Sequence, residues 1–169
     1  MPQPPARSQS PILPPGARPM ARARILGGAQ APSLRGFTDF FADGNGVLVV
    51  TELWGLPCSP APCAPNIFAI HIHAGAACVG PNPQFSAAGG HFNPNNCPHP
   101  AHAGDMPPLF ANRGYAFSAF YTERFTIPAV LGKTVVVHSQ RDDFTSQPAG
   151  DSGARIGCGV IEAVPMPRP

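Results

Sequence analysis

From residue 20 to residue 164 the chain never sustains the i, i+3, i+4 apolar spacing of an amphipathic helix for more than a turn or two; short β-branched and aromatic runs recur instead, closed off by Gly, Pro or Asn. With 18 Gly and 24 Pro in 169 residues, long helices are not available to it. What remains is a set of short strands joined by turns, an all-β fold. The runs fall at residues 23–26, 36–41, 47–53, 66–73, 115–121, 134–138 and 156–160. Asp43-Gly44-Asn45-Gly46, between the second and third runs, is a hairpin turn, because Gly accepts the positive φ that tight hairpins need. Two stretches, 74–108 and 139–154, are too long to be simple connections, and irregular loops of that length in a small domain are ordinarily functional.

A chain of 169 residues is long enough for one domain with its own core, and residues 21–164 are expected to form it. Residues 1–20 read as a disordered arm, since seven prolines in those twenty positions remove backbone donors and favour polyproline II. Residues 165–169 read as a short disordered tail. The formal charge of +2 resides at the ends, in Arg7, Arg18 and Arg168; residues 20–164 carry eight basic and nine acidic side chains, a net −1. A nucleic-acid-binding face needs an excess of cations to displace counterions, so no nucleic acid partner is expected. No membrane association is expected either, because no run approaches ~20 apolar residues. The first residues lack the continuous apolar core of a secretory signal, which favours the cytoplasm; a start other than Met1 would make the periplasm or the exterior the expected compartment.

All six histidines lie between residues 71 and 138. In the run 66–73, alternation along a strand puts Phe68, Ile70 and Ile72 on one face and Ala69, His71 and His73 on the other. Two imidazoles one strand repeat apart, ~7 Å at the backbone, can converge on one ion. His-x-His alone is a weak signal, compatible with two surface histidines. His91, His99, His102 and Asp105 follow in a loop rich in Pro, Asn and Gly, and three imidazoles with a carboxylate suit Zn²⁺. His138 ends the apolar strand Val135-Val136-Val137. By itself it reads as a structural residue; beside the other five it is a candidate sixth ligand.

Five segments in order then resemble the copper–zinc superoxide dismutase family: Phe68-Ala69-Ile70-His71-Ile72-His73, Gly90-His91-Phe92-Asn93-Pro94, His102-Ala103-Gly104-Asp105, Gly132-Lys133-Thr134-Val135-Val136-Val137-His138, and Gly153-Ala154-Arg155-Ile156-Gly157-Cys158-Gly159-Val160-Ile161. The resemblance extends over about residues 23–162. It implies an eight-stranded antiparallel Greek-key β-barrel with long metal-binding loops, and a copper and a zinc ion as cofactors. Copper would be held by His71, His73, His91 and His138, and zinc by His91, His99, His102 and Asp105, with His91 shared. It further implies a disulfide between Cys78 and Cys158, an anion-attracting Arg155, and an Asp142 that links a copper ligand to a zinc ligand. Asp142 also reads as a plain loop carboxylate, since Asp143 sits beside it. The implied activity is the conversion of superoxide to oxygen and hydrogen peroxide. The alternative is a non-catalytic copper- and zinc-binding protein of the same fold, for storage or delivery; a homodimer is one assembly open to either.

The sequence departs from the family pattern in places. The interval from His73 to His91 is long, and the spacing His99-Pro100-Ala101-His102 is compressed. The stretch 139–154 has no lysine and only Arg141 as a base, which argues against long-range steering of an anion. Of the three remaining cysteines, Cys63 and Cys97 are a candidate second bridge; three free thiols, with Cys58, is the other reading.

Overall fold

The computed structural model describes residues 17–80 and 84–165. Its strands are β1 (Ala21–Gly27), β2 (Arg35–Asp43), β3 (Gly46–Trp54), β4 (Ile67–Phe68), β5 (Ile70–His73), β6 (Leu109–Phe110), β7 (Tyr115–Thr122), β8 (Thr134–His138) and β9 (Arg155–Ala163). The only α-helix among the described residues is the single turn α1 (Ile127–Val130), and no helix there is long and apolar enough to cross a membrane. Seven expected strands appear, five of them one to four residues longer than expected. The run 66–73 divides at Ala69, where the strand changes partner: β4 pairs with β6, and β5 pairs with β8. Counting the two halves as one strand gives eight. Strand β6 escapes the sequence reading because it is two residues long and follows Pro107-Pro108.

Every ladder is antiparallel, in the order β5-β8-β9-β1-β2-β3-β7, with β4-β6 as a second, small sheet. The bridge between Asn112 and Tyr115 ties the end of β6 to the start of β7, so the pairing returns to the strand it began on and the sheet closes. The chain crosses from β3 to β4 and from β7 to β8 without pairing, which is the Greek-key connection. The β2–β3 turn is the two-residue loop Gly44-Asn45, with Gly44 at φ 56°.

The core is the inner face of the closed sheet, where Ile25, Phe40, Val49, Leu53, Ile70, Val137 and Ile161 are buried. Phe40 meets Phe125 edge to face, with centroids 6.2 Å apart. On β5, Ile70 and Ile72 enter this core, which leaves His71 and His73 on the outer face. They are buried all the same, at 0% and 1% exposure, because the two long loops cover that face.

The 74–108 loop is bound to the barrel by backbone and by sulfur. Phe92 N–H donates to Ile72 O, Ile72 N–H to Gly104 O, and Gly104 N–H to Phe92 O, each at 2.8 Å. A Cβ on Gly104 would lie 2.3 Å from Ile72 O, so only glycine lets the loop approach this closely. Cys78 and Cys158 form a disulfide that joins the loop to β9, as the resemblance implies.

The candidate second bridge is not formed, and the other reading holds: Cys58, Cys63 and Cys97 are free. Cys97 is held within the loop by Asn93, whose side chain accepts from Cys97 N at 2.9 Å and donates to Cys97 O at 2.8 Å. Its thiol faces Asn95 O, and Cys63 lies exposed elsewhere. Of the arm expected at residues 1–20, positions 1–16 lie outside the described residues, as do 166–169 of the tail. Met20 is hydrogen-bonded at the end of the sheet, donating from N–H to Phe40 O and accepting from Val164 N–H, both at 2.9 Å.

Alkylation of the native protein followed by non-reducing peptide mapping should label Cys58, Cys63 and Cys97 and recover Cys78 joined to Cys158. A Cys63–Cys97 peptide pair would contradict this arrangement.

Candidate metal centre

Alternation on β5 aims His71 and His73 at the space under the loops. The backbone of the 74–108 loop then runs beside β5, making bridges of His73 with His91 and of His71 with Asp105. His138 ends β8, where a register shift after Val137 sets it opposite Arg155 of β9. A bulge of this type re-aims side chains, here bringing an imidazole and a guanidinium to the mouth of one cleft. The cleft is lined by His73, His91, His138, Gly153 and Arg155 among others.

All seven residues read as ligands come together in two groups. In one, His71, His73, His91 and His138 offer ring nitrogens within 4.8 Å of one another; in the other, ring nitrogens of His91, His99 and His102 and a carboxylate oxygen of Asp105 lie within the same limit. His91 belongs to both. The hydrogen bonds decide which nitrogen each ring presents. His71 Nε2–H donates to Asp142 Oδ2 at 2.8 Å, and His99 Nε2–H donates to Asp142 Oδ1 at 2.9 Å. Nδ1 is therefore the free atom of each. His73 Nδ1–H donates to Gly89 O at 2.9 Å, so its Nε2 is free and lies 3.2 Å from His138 Nε2. His91 Nδ1 lies 2.7 Å from Asp105 Oδ1 and 3.3 Å from His102 Nδ1, which turns His91 Nε2 toward the other group.

Among the described residues, four buried side-chain polar atoms have no partner. Three of them are His71 Nδ1, His91 Nε2 and His99 Nδ1; the fourth is Thr134 Oγ1. Three unpartnered imidazole nitrogens in one small region are costly to bury unless a ligand takes their lone pairs. Burial also keeps His71, His73 and His138 neutral. It pulls the pKa of His73 down to about 2 and that of His138 to about 3, and lowers that of His71. A neutral imidazole is the form that binds a metal.

The two aspartates behave oppositely to what burial alone would impose. Desolvation raises the pKa of Asp142, but hydrogen bonds from His71, the Phe144 N–H and His99 outweigh it and hold the carboxyl at about 2. Desolvation likewise raises that of Asp105, and the hydrogen bond with His91 and the surrounding rings bring it below the ordinary value. Both are ionised at neutral pH. Asp143, by contrast, is exposed and caps the turn at residues 145 and 146, so the two neighbouring carboxylates have separate tasks.

Arg155 donates from Nη1 to Phe85 O at 2.7 Å and from Nη2 to Gly89 O at 2.5 Å. Gly89 O is also the acceptor for His73, so one carbonyl orients both side chains. Burial lowers the arginine pKa, yet a guanidinium keeps its charge at any physiological pH.

Two residues that bear on the site escape the sequence reading. Gln147 pairs with the backbone of His99, and Arg124 donates to the carbonyls of Pro100 and His102. A lone glutamine or arginine in a loop carries no spacing signal that could have marked either one.

The copper/zinc superoxide dismutase family model matches residues 35–161. The Cu–Zn superoxide dismutase of Deinococcus radiodurans is 33% identical, with 87% of this chain and 86% of that protein covered. Among solved structures, the Cu/Zn superoxide dismutase of Brucella abortus superposes with a TM-score of 0.70 at 24% identity, covering 84% of this chain and 99% of that one. A double mutant of a superoxide-dismutase-like protein from Bacillus subtilis also gives a TM-score of 0.70, at 26% identity, covering 84% of this chain and 97% of that one. The chain belongs to the copper/zinc superoxide dismutase family.

Proposed function

We propose that the protein dismutates superoxide, converting two superoxide anions and two protons to oxygen and hydrogen peroxide. Copper is held by His71, His73, His91 and His138, and zinc by His91, His99, His102 and Asp105. The observation that carries this reading is the shared ring of His91, which turns Nδ1 to one group and an unpartnered Nε2 to the other. The donors fit the two ions: four imidazoles suit copper, and three imidazoles with one carboxylate suit tetrahedral zinc. When bound, copper supplies the one-electron exchange, and zinc, which has no redox chemistry, supplies a fixed positive charge.

The side chains of the chain do the rest. Arg155, at the cleft beside His73 and His138, gives a small anion a permanent positive charge. The Nε2 of His91 is placed to hold one of the protons that peroxide formation requires. Asp142 fixes the tautomer and rotation of His71 and His99 together, so the two groups are set by one carboxylate. The covering loops keep bulk water off the rings, and burial holds His71, His73 and His138 neutral and ready to bind.

Loading the full chain with both metals should give one copper and one zinc per chain, with dismutation far above that of free copper. His138→Ala should lose copper and activity while keeping zinc. Arg155→Ala should keep both metals and lower kcat/KM for superoxide roughly 10-fold, the loss of one charged contact worth about 1.5 kcal/mol. Full metal content without activity above free copper would make the protein a metal-binding relative, the storage or delivery reading.

Asp142→Ala tests the link between the groups. Because it frees two rings at once, both zinc and copper affinities should fall, by about 10- to 100-fold, as measured by chelator competition. A loss confined to one metal would show that the carboxylate serves only one group.

A further inference from the structure

The segment His99-Pro100-Ala101-His102 contributes two imidazoles to the second group from four consecutive residues, and its own backbone does little to hold its shape. The tie it makes locally is Ala101 N–H to Pro98 O, at 2.8 Å. Other restraints come from side chains. Gln147, on the 139–154 loop, sets its amide against the backbone of His99: Nε2 donates to His99 O at 2.7 Å, and His99 N–H donates to Oε1 at 3.0 Å. The pair is equivalent to one rung of an antiparallel ladder, made with a side chain in place of a strand. From the other side, Arg124 Nη1 donates to Pro100 O at 3.2 Å and His102 O at 3.4 Å. His102 N–H is taken by Asp105 Oδ2 at 3.0 Å.

Placing a ligand imidazole requires two things to be fixed, the rotation of the ring and the position of the backbone that carries it. For His99 the ring is fixed by Asp142 and the backbone by Gln147, two residues five apart on one loop. We propose that Gln147 is a positioning residue for His99, with Arg124 its counterpart for His102, and that the two set the zinc affinity of this compressed segment. The inference rests on the reading of the second group as the zinc site. Without Gln147, the N–H and carbonyl of His99 turn to solvent, and the ion must order the segment as it binds; that ordering cost is subtracted from affinity. Asp142 touches a ring of each group, so its loss acts on both metals. The hydrogen bonds of the Gln147 side chain go only to the segment of the second group, so its loss acts on zinc alone.

The test uses the full chain, with zinc and copper affinities measured separately by competition with a chromophoric chelator, and Co²⁺ as a spectroscopic probe of the zinc site. Gln147→Ala should weaken zinc about 10-fold and leave copper unchanged. It should also alter the visible absorption of the cobalt-loaded protein. Gln147→Met, which keeps the bulk of the side chain but neither hydrogen bond, should do the same. Gln140→Ala, an exposed glutamine changed on the same loop, should match the wild type. Arg124→Ala should weaken zinc as well, and Arg124→Lys, which retains a donor, should recover part of the loss. Unchanged zinc affinity in both Gln147 variants would overturn the proposal, and so would an equal fall in zinc and copper, the mark of a generally loosened loop. A wild-type protein that binds neither Zn²⁺ nor Co²⁺ at this group would overturn the zinc reading itself, and this inference with it.

Discussion

Burying six imidazoles against the outside of a β-barrel is unfavourable unless every ring nitrogen has a use, and the arrangement of the site follows from that constraint. A neutral imidazole has one N–H and one lone pair. In His71, His73 and His99 the N–H is given to a protein oxygen, Asp142 or Gly89, which leaves the lone pair pointing inward. His91 has a task for each nitrogen, one in each group, and is therefore the ring that the two groups share. The ionised state of Asp142 and the neutral state of His71 are two sides of one balance. The carboxylate is stabilised by the N–H groups it orients, and His71, like His73 and His138, loses its extra proton to burial.

The barrel contributes by being rigid where the loops are not regular. Ile70 and Ile72 are locked in the core, so His71 and His73 cannot rotate away from the cleft without moving the strand. The register shift after Val137 gives His138 and Arg155 their common aim. The long loop is then fastened at several points: by hydrogen bonds to the backbone of Ile72, by the disulfide to β9, and by Arg155 on the carbonyls of Phe85 and Gly89. Arg155 thus orders the rim of the site while presenting charge to it.

The strands and the candidate ligand residues were legible in the sequence through local periodicity and composition, while the barrel and the division of those residues into two groups came from the family resemblance. Alternation along 66–73 separates core from ligands, and the clustering of all six histidines brings the loops into the argument. Partner switches leave no such mark. Nothing around Ala69 announces that the strand pairs with β6 before it and β8 after it, and a two-residue strand behind two prolines reads as loop. Cysteine positions left a second disulfide and three free thiols equally open, and positions say nothing of Asn93 holding Cys97 inside its own turn. Gln147 and Arg124 were invisible for a related reason. Their importance lies in which backbone groups they reach across 48 and 22 residues of chain, a property of the folded loops only.

The 139–154 loop that places Gln147 and Asp142 also limits how an anion is drawn in. Its only base is Arg141, against Asp142, Asp143 and Asp151, and the body of the chain is close to neutral. Exposed charges ~10 Å or more away are already substantially screened at physiological salt. A charge inside a partly desolvated cleft is screened less and acts at the distance where the anion meets the rings. Asp142 is engaged by His71 and His99, and Asp143 by the turn it caps. What the cleft offers an approaching anion is therefore the guanidinium of Arg155. Its two carbonyl partners hold that charge beside His73 and His138.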